Sequence, residues 1–349
     1  MNKNQLKIHA FVDQFLLFPG TRYMGSKNKI IHQIWEILKD YEFNSFFDAF
    51  AGSNVVAYFM KSKGKQVSTN DFMSISFYLS KAVIENCGII LDEKDMQFLL
   101  NNKNNETIIS NTFKGLYFSD KDNRFLDKVR FNISFLKDEY KQAIAISALV
   151  RACMKKRPRG IFTFTGDRYD DGREDIKKSL EHHFIENVSL FNNAVFNNGT
   201  RCKSFNNFTQ EVKIEADMVY FDPPYYSPKS DNDYVRRYHF VEGLAKNWNG
   251  LEIQWHTKTK KFKSYQSPFS KQEEAYKAFE SLINVYKKSI IVISYSSNSL
   301  PTKDEILTML KKHKKNVVVH EIDHLYSFGN QNFKAGESNR VKEYLFVGE

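Results

Sequence analysis

The chain has 349 residues, of which 42% are hydrophobic and 15% aromatic, a composition that predicts a packed globular core and excludes intrinsic disorder. No stretch approaches the roughly 18 consecutive apolar residues of a membrane span, and the first residues do not resemble a signal peptide, so we expect a cytoplasmic protein without membrane contact. The formal charge of +10 favours a polyanionic partner or an acidic surface, although charge alone does not identify which.

The first predicted elements lie between residues 46 and 71. Residues 46–50 form a compact apolar run, Ala51-Gly52-Ser53 follows it, and the apolar residues 55–60 predict a helix. Residues 66–69 alternate as a short strand does and end at Asn70-Asp71. This succession of strand, turn, helix and strand is typical of the opening of a parallel α/β sheet.

The turn at Gly52 is a candidate ligand site. Ligands of open α/β sheets bind at the carboxyl ends of the strands, where a glycine lets the backbone approach them. A single glycine matches the dinucleotide pattern G-x-G-x-x-G poorly, so phosphate binding is not predicted. Asp71, at the end of the next strand, is placed to chelate a ribose diol. Because a glycine turn between strand and helix is more often structural, this feature alone does not decide the function.

The middle of the chain differs from its flanks, since it is mostly helical by pattern, as in residues 141–154, and has few apolar strands. We therefore predict one domain formed by residues 1–75 and 195–349, and a second, inserted domain at residues 76–194. The insert carries the densest basic run of the chain, at Arg151, Lys155, Lys156, Arg157 and Arg159. Such a run indicates phosphate contacts or, with equal weight, a solvated helix end.

Strands and helices alternate again in the second half of the chain. Apolar runs predict strands at residues 218–221, 290–295, 316–319 and 341–347. Helical patterns precede two of them, at residues 273–288 and 303–312. Strands that alternate with helices in this way indicate an α/β fold with a doubly wound sheet.

The strongest motif is Asp222-Pro223-Pro224-Tyr225, directly after the predicted strand at residues 218–221. Two consecutive prolines cannot continue a hydrogen-bond ladder, so the chain leaves the sheet rigidly at this point. The motif thereby holds a carboxylate, backbone carbonyls and an aromatic ring in a small volume, which suits an exocyclic amine on a planar base. Asp222 and the Pro223 carbonyl would accept the two N–H hydrogens, and Tyr225 would stack on the ring. A structural proline turn is the alternative, and the acid at the strand end favours a functional role.

Three motifs in this order resemble those of the adenine-specific DNA methyltransferases of the Dam-like D12 class. They are Arg22-Tyr23-Met24-Gly25-Ser26-Lys27, the turn from Asp48 to Gly52, and Asp222 to Tyr225. Asn70-Asp71 resembles the ribose-binding dipeptide of that family, and residues 238–240, 293–295 and 339–345 resemble its later motifs. Tyr23 stands where the family often has Trp, and Ser53-Asn54 departs from the usual pattern after the glycine.

The resemblance implies an S-adenosylmethionine-dependent methyltransferase fold whose mainly helical insert recognises the DNA target. The implied reaction moves a methyl group to N6 of an adenine flipped out of double-stranded DNA, and it would protect DNA from a cognate restriction endonuclease. The implied catalytic residues are Asp222, Pro223, Pro224 and Tyr225. The implied cofactor residues are Tyr23, Lys27, Asp48, Ala51, Gly52, Ser53, Asn70, Asp71, Phe208 and Asp222. The residues expected to contact DNA are Arg22, Arg151, Lys155, Lys156, Arg157, Arg159, Lys260 and Lys261.

No metal is expected, because Cys87, Cys153 and Cys202 are widely spaced and predict buried free thiols. We expect a monomer. Two alternatives stay open: a methyltransferase for another planar amine (cytosine N4, an RNA adenine or a protein glutamine), and a non-catalytic DNA-binding protein that has kept the fold. Methyl-transfer assays on DNA, RNA and protein distinguish the first alternative, and DNA binding without cofactor binding would favour the second.

Overall fold

A computed structural model of the protein describes residues 13–166, 172–224, 233–325 and 340–349. The α-helices are α1 (Ile31–Leu38), α2 (Val55–Ser62), α3 (Ser74–Ser80), α4 (Glu93–Asn101), α5 (Ile108–Thr112), α6 (Asp120–Ile133), α7 (Glu139–Lys156), α8 (Glu174–Lys177), α9 (Leu180–Ala194), α10 (Tyr234–Lys246), α11 (Gln272–Val285) and α12 (Lys303–Lys311). The β-strands are β1 (Ser45–Asp48), β2 (Gln66–Asn70), β3 (Lys203–Phe205), β4 (Met218–Phe221), β5 (Ile290–Ser296), β6 (Val317–Leu325) and β7 (Arg340–Gly348).

The strands form one mixed sheet in the order β3-β2-β1-β4-β5-β7-β6. Strands β1 to β5 pair in parallel, whereas β7 runs antiparallel to both β5 and β6. The chain builds outward from β1 to β3 and then returns to β4, beside β1, so the direction of strand addition reverses between β1 and β4. Ligands of open α/β sheets bind at the carboxyl ends of the strands at such a switch point. The predicted α/β fold is confirmed, with an antiparallel strand near one edge.

The central strands are buried on both faces. Phe46 of β1 and Tyr220 of β4 face one hydrophobic core, and the alternate residues Phe47 and Val219 face a second core that includes side chains of α11 and α12. Neighbouring residues of a strand point to opposite faces of the sheet, so covering both faces requires consecutive apolar residues. This requirement explains why β4 is apolar throughout and why β1 has two consecutive phenylalanines at its centre.

The segment predicted as an insert contains helices α4 to α9. Helix α7 is its central element, because residues 143–150 are all buried. These residues belong to the same continuous core as the sheet face that includes Phe46. The insert therefore packs directly onto the rest of the protein, and α3 crosses the predicted boundary at residue 75. The division into residues 1–75 with 195–349 and residues 76–194 stays a prediction.

The cysteines differ in their surroundings. Cys153 and Cys202 are buried, but Cys87 is exposed, because it lies in the surface turn at residues 87–90, so the prediction that it is buried was wrong. Within the described ranges, no helix is both long and apolar enough to cross a bilayer. Nor do histidine, cysteine and acidic side chains gather there in a group that would hold a metal ion.

Candidate active site

A cavity that is open to solvent lies at the carboxyl ends of β1, β2 and β4. Asp48 is the last residue of β1, Asp222 follows β4 and Asp71 follows β2. Because these strands are parallel neighbours, their acids meet at one edge of the sheet. The predicted site residues that line this cavity are Tyr23, Lys27, Asp48, Ala51, Gly52, Ser53, Asp71, Asp222, Pro223 and Pro224.

The Asp222 carboxylate is held by a buried lysine. Lys27 Nζ donates a hydrogen bond of 2.8 Å to Asp222 Oδ1, and it lies 3.4 Å from Glu343 Oε1. Lys27 is only 2% exposed and Glu343 is fully buried, whereas the Asp222 side chain is 17% exposed toward the cavity. Ser294 Oγ donates a further 2.6 Å hydrogen bond to Glu343. A buried cation between two carboxylates therefore fixes the orientation of Asp222 from behind.

The turn after β1 requires a glycine. Gly52 has a φ of +46°, and a Cβ atom at this position would lie 3.1 Å from Cε1 of Tyr23. The Tyr23 ring therefore packs directly against the turn, and it stacks on Tyr238 with ring centroids 5.2 Å apart. Ser53 Oγ donates a 3.1 Å hydrogen bond to Ser26 Oγ, which joins the turn to the segment that carries Tyr23. Glycine is needed here both for the backbone conformation and for the close approach.

Asp71 is bound to the backbone on both oxygens. Its Oδ2 accepts the N–H of Gly52 and its Oδ1 accepts the N–H of Met73, each at 2.8 Å. Burial nevertheless raises the pKa of Asp71 to about 7. A carboxyl group that titrates near neutral pH inside a cavity is typical of a functional site.

The cavity lining carries more acids than cations. Among its described residues Asp48, Asp71 and Asp222 are acids, and Lys27 is the cation. Burial, reinforced by the charge of Asp222, raises the pKa of Asp48 well above its usual range. A positively charged ligand would relieve the repulsion among these carboxyl groups. The aromatic rings of Phe50 and Phe72 line the same cavity and offer packing surfaces for a planar group.

Two predicted site residues of the described chain, Asn70 and Phe208, are not part of this lining. Asn70 exchanges two hydrogen bonds with the backbone of Asn207, at 3.0 Å and 3.2 Å, and thereby ties β2 to the loop after β3. Phe208 stacks on Phe72, with ring centroids 5.8 Å apart, so it supports the lining from behind. Tyr225 lies outside the described residues. The cofactor contacts of Asn70 and Phe208, and the base contact of Tyr225, stay predictions.

Several residues of the site were not predicted from the sequence. Phe50, Phe72 and Tyr234 line the cavity, and Tyr234 packs on Tyr23 with ring centroids 5.6 Å apart. Glu343 reaches Lys27 from the middle of β7. Glu343 falls within residues 339–345, which resemble a later motif of the family, but nothing in that segment predicts its pairing with Lys27.

The lysines of the basic run pair with acids of the protein. Lys155 Nζ lies 3.3 Å from Asp175, and Lys156 Nζ lies 3.3 Å from Asp122. Both lysines are half-buried. A phosphate contact by either side chain would have to replace these ion pairs, so their DNA contacts stay predictions.

The arginines of the run differ in exposure. Arg157 is 1% exposed, and its guanidinium donates to three backbone carbonyls within residues 161–166 while packing 5.2 Å from the Tyr117 ring. It therefore holds the loop after α7 in place, and we do not propose that it contacts DNA. Arg151 donates to the carbonyl of Gly20 at 3.0 Å and is half-buried. Arg159, in contrast, is exposed.

The remaining predicted DNA contacts lie at the surface. Arg22 is exposed and lies close to Gly160, the residue after Arg159. A Cβ atom added to Gly160 would be only 3.3 Å from the Cβ of Arg22. Lys260 and Lys261 are half-buried and belong to a short hairpin between α10 and α11.

Comparison with known proteins gives matches along nearly the whole chain. A family model for the D12 class of N6 adenine-specific DNA methyltransferases matches residues 23–309. The chain is 30% identical to Type II methyltransferase M2.HphI of Haemophilus parahaemolyticus, over 95% of this chain and 98% of the relative. It is 27% identical to Modification methylase StsI of Streptococcus sanguinis and 25% identical to Type II methyltransferase M.FokI of Planomicrobium okeanokoites, in each case over 93% of this chain. The chain spans about half the length of these last two relatives, 51% and 52% respectively.

Proposed function

This chain belongs to the D12 class of N6 adenine-specific DNA methyltransferases, and from that premise we propose that the cavity at the ends of β1, β2 and β4 is its active site. The reaction of the class is the transfer of a methyl group to N6 of adenine in DNA, and S-adenosylmethionine is the donor that a methyltransferase family implies. One observation carries the assignment: a single cavity joins Asp222-Pro223-Pro224 to the Gly52 turn and to Asp71.

The residues around the Gly52 turn fit S-adenosylmethionine. This cofactor supplies an electrophilic methyl group on a positively charged sulfur, and it carries a ribose and an adenine. The surplus of acids over Lys27 in the lining complements the positive charge. We assign Asp71 to the ribose hydroxyls, because carboxylate oxygens accept hydrogen bonds from a diol. Gly52 and Tyr23 shape the adjoining wall, where any side chain at residue 52 would displace the ring.

Asp222 and the Pro223 carbonyl act on the target amine. The lone pair of adenine N6 is conjugated with the ring and is therefore a poor nucleophile. Hydrogen bonds from the two N6–H groups to Asp222 and to the Pro223 carbonyl favour the pyramidal amine, whose lone pair is available. Lys27 keeps the carboxylate in position through its 2.8 Å hydrogen bond. The acceleration comes from orientation and electrostatics, with no covalent intermediate on the protein.

DNA reaches the cavity with its target adenine extruded, because N6 cannot enter the site while the base is stacked. We propose that Tyr225 stacks on the extruded base, as its position after Pro224 predicts. Phosphate contacts are assigned to Arg22, Arg159, Lys260 and Lys261. Arg151, Lys155 and Lys156 would contribute only after exchanging the internal partners described above.

The biological role that we propose is protection of DNA from a cognate restriction endonuclease. The relatives named above are type II methyltransferases and a modification methylase, which supports this role. Sequencing of methylated bases in DNA from cells that express the chain would give the recognition sequence. Resistance of that DNA to an endonuclease of the same specificity would then test protection directly.

Methyl transfer to DNA, RNA and protein in parallel tests the proposed function. The purified chain, supplied with labelled S-adenosylmethionine, is expected to label double-stranded DNA, and nucleoside analysis is expected to find the label in N6-methyladenine. Asp222→Ala serves as the inactive control. Label in N4-methylcytosine, in RNA or in protein would contradict the proposal, as would DNA binding without any transfer.

Cofactor affinity is expected to depend on pH through Asp71. A diol is bound best by the ionised carboxylate, and a pKa of about 7 means that ionisation falls as the pH drops through 7. Affinity for S-adenosylmethionine should therefore weaken by about tenfold between pH 8 and pH 6, as the ionised fraction does. Calorimetric titration across this range measures the effect.

Asp71→Asn is the matched control for that titration. Protonation of S-adenosylmethionine itself is the same with either protein. The difference between the two pH profiles therefore measures the effect of the Asp71 carboxylate alone. The variant should bind more weakly at pH 8 and show a flatter profile. Parallel profiles for the two proteins would remove Asp71 from the cofactor site.

A further inference from the structure

A small two-stranded hairpin at residues 252–263 links α10 to α11. The backbone N–H of Gln254 donates to the carbonyl of Lys261 at 2.8 Å, and residues 255–260 form the tip between the two short arms. An isolated hairpin of this size is marginally stable at best in water. Its conformation therefore depends on the contacts that it makes with the rest of the protein.

Those contacts fix the hairpin from two sides. Phe262 is 2% exposed and packs edge-on against His239 of α10, with ring centroids 6.3 Å apart. At the tip, the carbonyl of Thr259 accepts a 2.7 Å hydrogen bond from the Tyr117 hydroxyl, which belongs to the segment between α5 and α6. The tip is thus held in a defined position by two separate parts of the chain.

The hairpin adjoins the rim of the cavity. Ser264 Oγ donates a 2.8 Å hydrogen bond to Asp233, the residue that caps α10. Tyr265 packs edge-on against Phe72 of the cavity lining, with ring centroids 5.9 Å apart. DNA that delivers an adenine to the cavity has to cross this rim, which brings the hairpin beside the duplex.

The hairpin tip carries the exposed indole of Trp255 close in sequence to several lysines. Trp255 is 62% exposed, although burying so large an apolar side chain would be favourable. Four lysines lie between residues 258 and 263, against the single acid Glu252. Lys260 donates a hydrogen bond to the backbone carbonyl of Trp255, so a cation is fixed next to the indole. An exposed aromatic ring on a basic, rigidly anchored tip complements both the bases and the phosphates of DNA.

We propose that Trp255 is a base-stacking residue for double-stranded DNA. Its indole inserts into the duplex beside the target adenine and holds that base outside the stack, while the neighbouring lysines contact phosphates. Extrusion of a base breaks its stacking contacts with the bases on both sides. An inserted aromatic ring stacks on those neighbouring bases and replaces part of these contacts. The inference rests on the proposed function, since it assumes that an adenine is delivered to the cavity.

The test uses the full chain and duplexes that carry its mapped recognition site, with 2-aminopurine in place of the target adenine to report unstacking. The wild type and Trp255→Ala are compared with Trp255→Phe, which keeps a ring, and with Phe135→Ala, which removes another exposed aromatic side chain (57% exposed) just after α6. At saturating protein, Trp255→Ala should give markedly less fluorescence than the other three proteins. Its kcat on the ordinary adenine duplex should fall by about 5- to 150-fold, the range that base stacking corresponds to.

A second duplex separates extrusion from simple affinity. When an abasic site lies opposite the target, the adenine leaves the stack easily, and the kcat of Trp255→Ala should approach that of the wild type. Equal losses of kcat on both duplexes, or wild-type fluorescence from Trp255→Ala on the paired duplex, would overturn the inference. A lower melting temperature that is found only for Trp255→Ala, and that explains its lost activity by unfolding, would also overturn the inference. Failure of the proposed function looks different, because the wild type and Phe135→Ala would then methylate neither duplex.

Discussion

Asp222→Ala is expected to lower the kcat for DNA methylation by at least roughly 100- to 1,000-fold, the usual cost of one preorganised hydrogen-bonding group at a reaction centre. The variant removes the acceptor that orients N6, while the Pro223 carbonyl and the rest of the cavity stay in place. The fold should persist, because the Asp222 side chain is partly exposed and Lys27 keeps its contacts with Glu343 and the carbonyl of Gly25. Single-turnover methylation measures the chemical step directly.

Asp222→Asn is the matched control. It preserves the shape and one acceptor oxygen but replaces the second oxygen with an N–H donor, so its kcat should lie between those of the wild type and Asp222→Ala. The melting temperature should change little in either variant. Wild-type turnover by Asp222→Ala would exclude the proposed mechanism, whereas loss of the melting transition would show that Asp222 has a structural role.

The central sheet was predictable because its physical requirements are local. Strands that are buried on both faces favour consecutive apolar residues, as in all of β4 and in residues 290–293 of β5. Strand β3 was missed because it has three residues, includes Lys203 and Ser204, and lies at the edge of the sheet, where burial is not required. The antiparallel direction of β7 is set by its pairing with β5 and β6, which the composition of the strand does not reveal.

The partners of charged residues were not predictable, because they depend on the tertiary fold. Asp222 was identified from its proline neighbours, but its partner Lys27 lies 195 residues before it in sequence. Glu343, which contacts the same lysine, lies 121 residues after Asp222. The basic run shows the same limit. A count of local charge cannot reveal that Arg157 turns inward to backbone carbonyls, since those acceptors carry no signal in the sequence.

Lys27→Met is expected to lower the free energy of unfolding by about 3–5 kcal/mol, the usual consequence of removing one partner of a buried ion pair. Glu343 is fully buried, and the variant removes the ammonium group that lies 3.4 Å from its carboxylate. The kcat should fall as well, because Asp222 loses the 2.8 Å hydrogen bond that orients its carboxylate. Urea unfolding and single-turnover methylation measure the two effects separately.

The double variant Lys27→Met with Glu343→Gln separates the two roles of the lysine. Neutralising Glu343 removes the buried charge that faced Lys27, so at least half of the lost stability should return, and the coupling between the two positions should exceed about 1 kcal/mol. The catalytic defect should remain, because the hydrogen bond from Lys27 to Asp222 is still missing. If the double variant recovers kcat fully together with stability, Lys27 acts only through the fold. If Lys27→Met leaves the free energy of unfolding unchanged, the buried ion pairs are excluded as a source of stability.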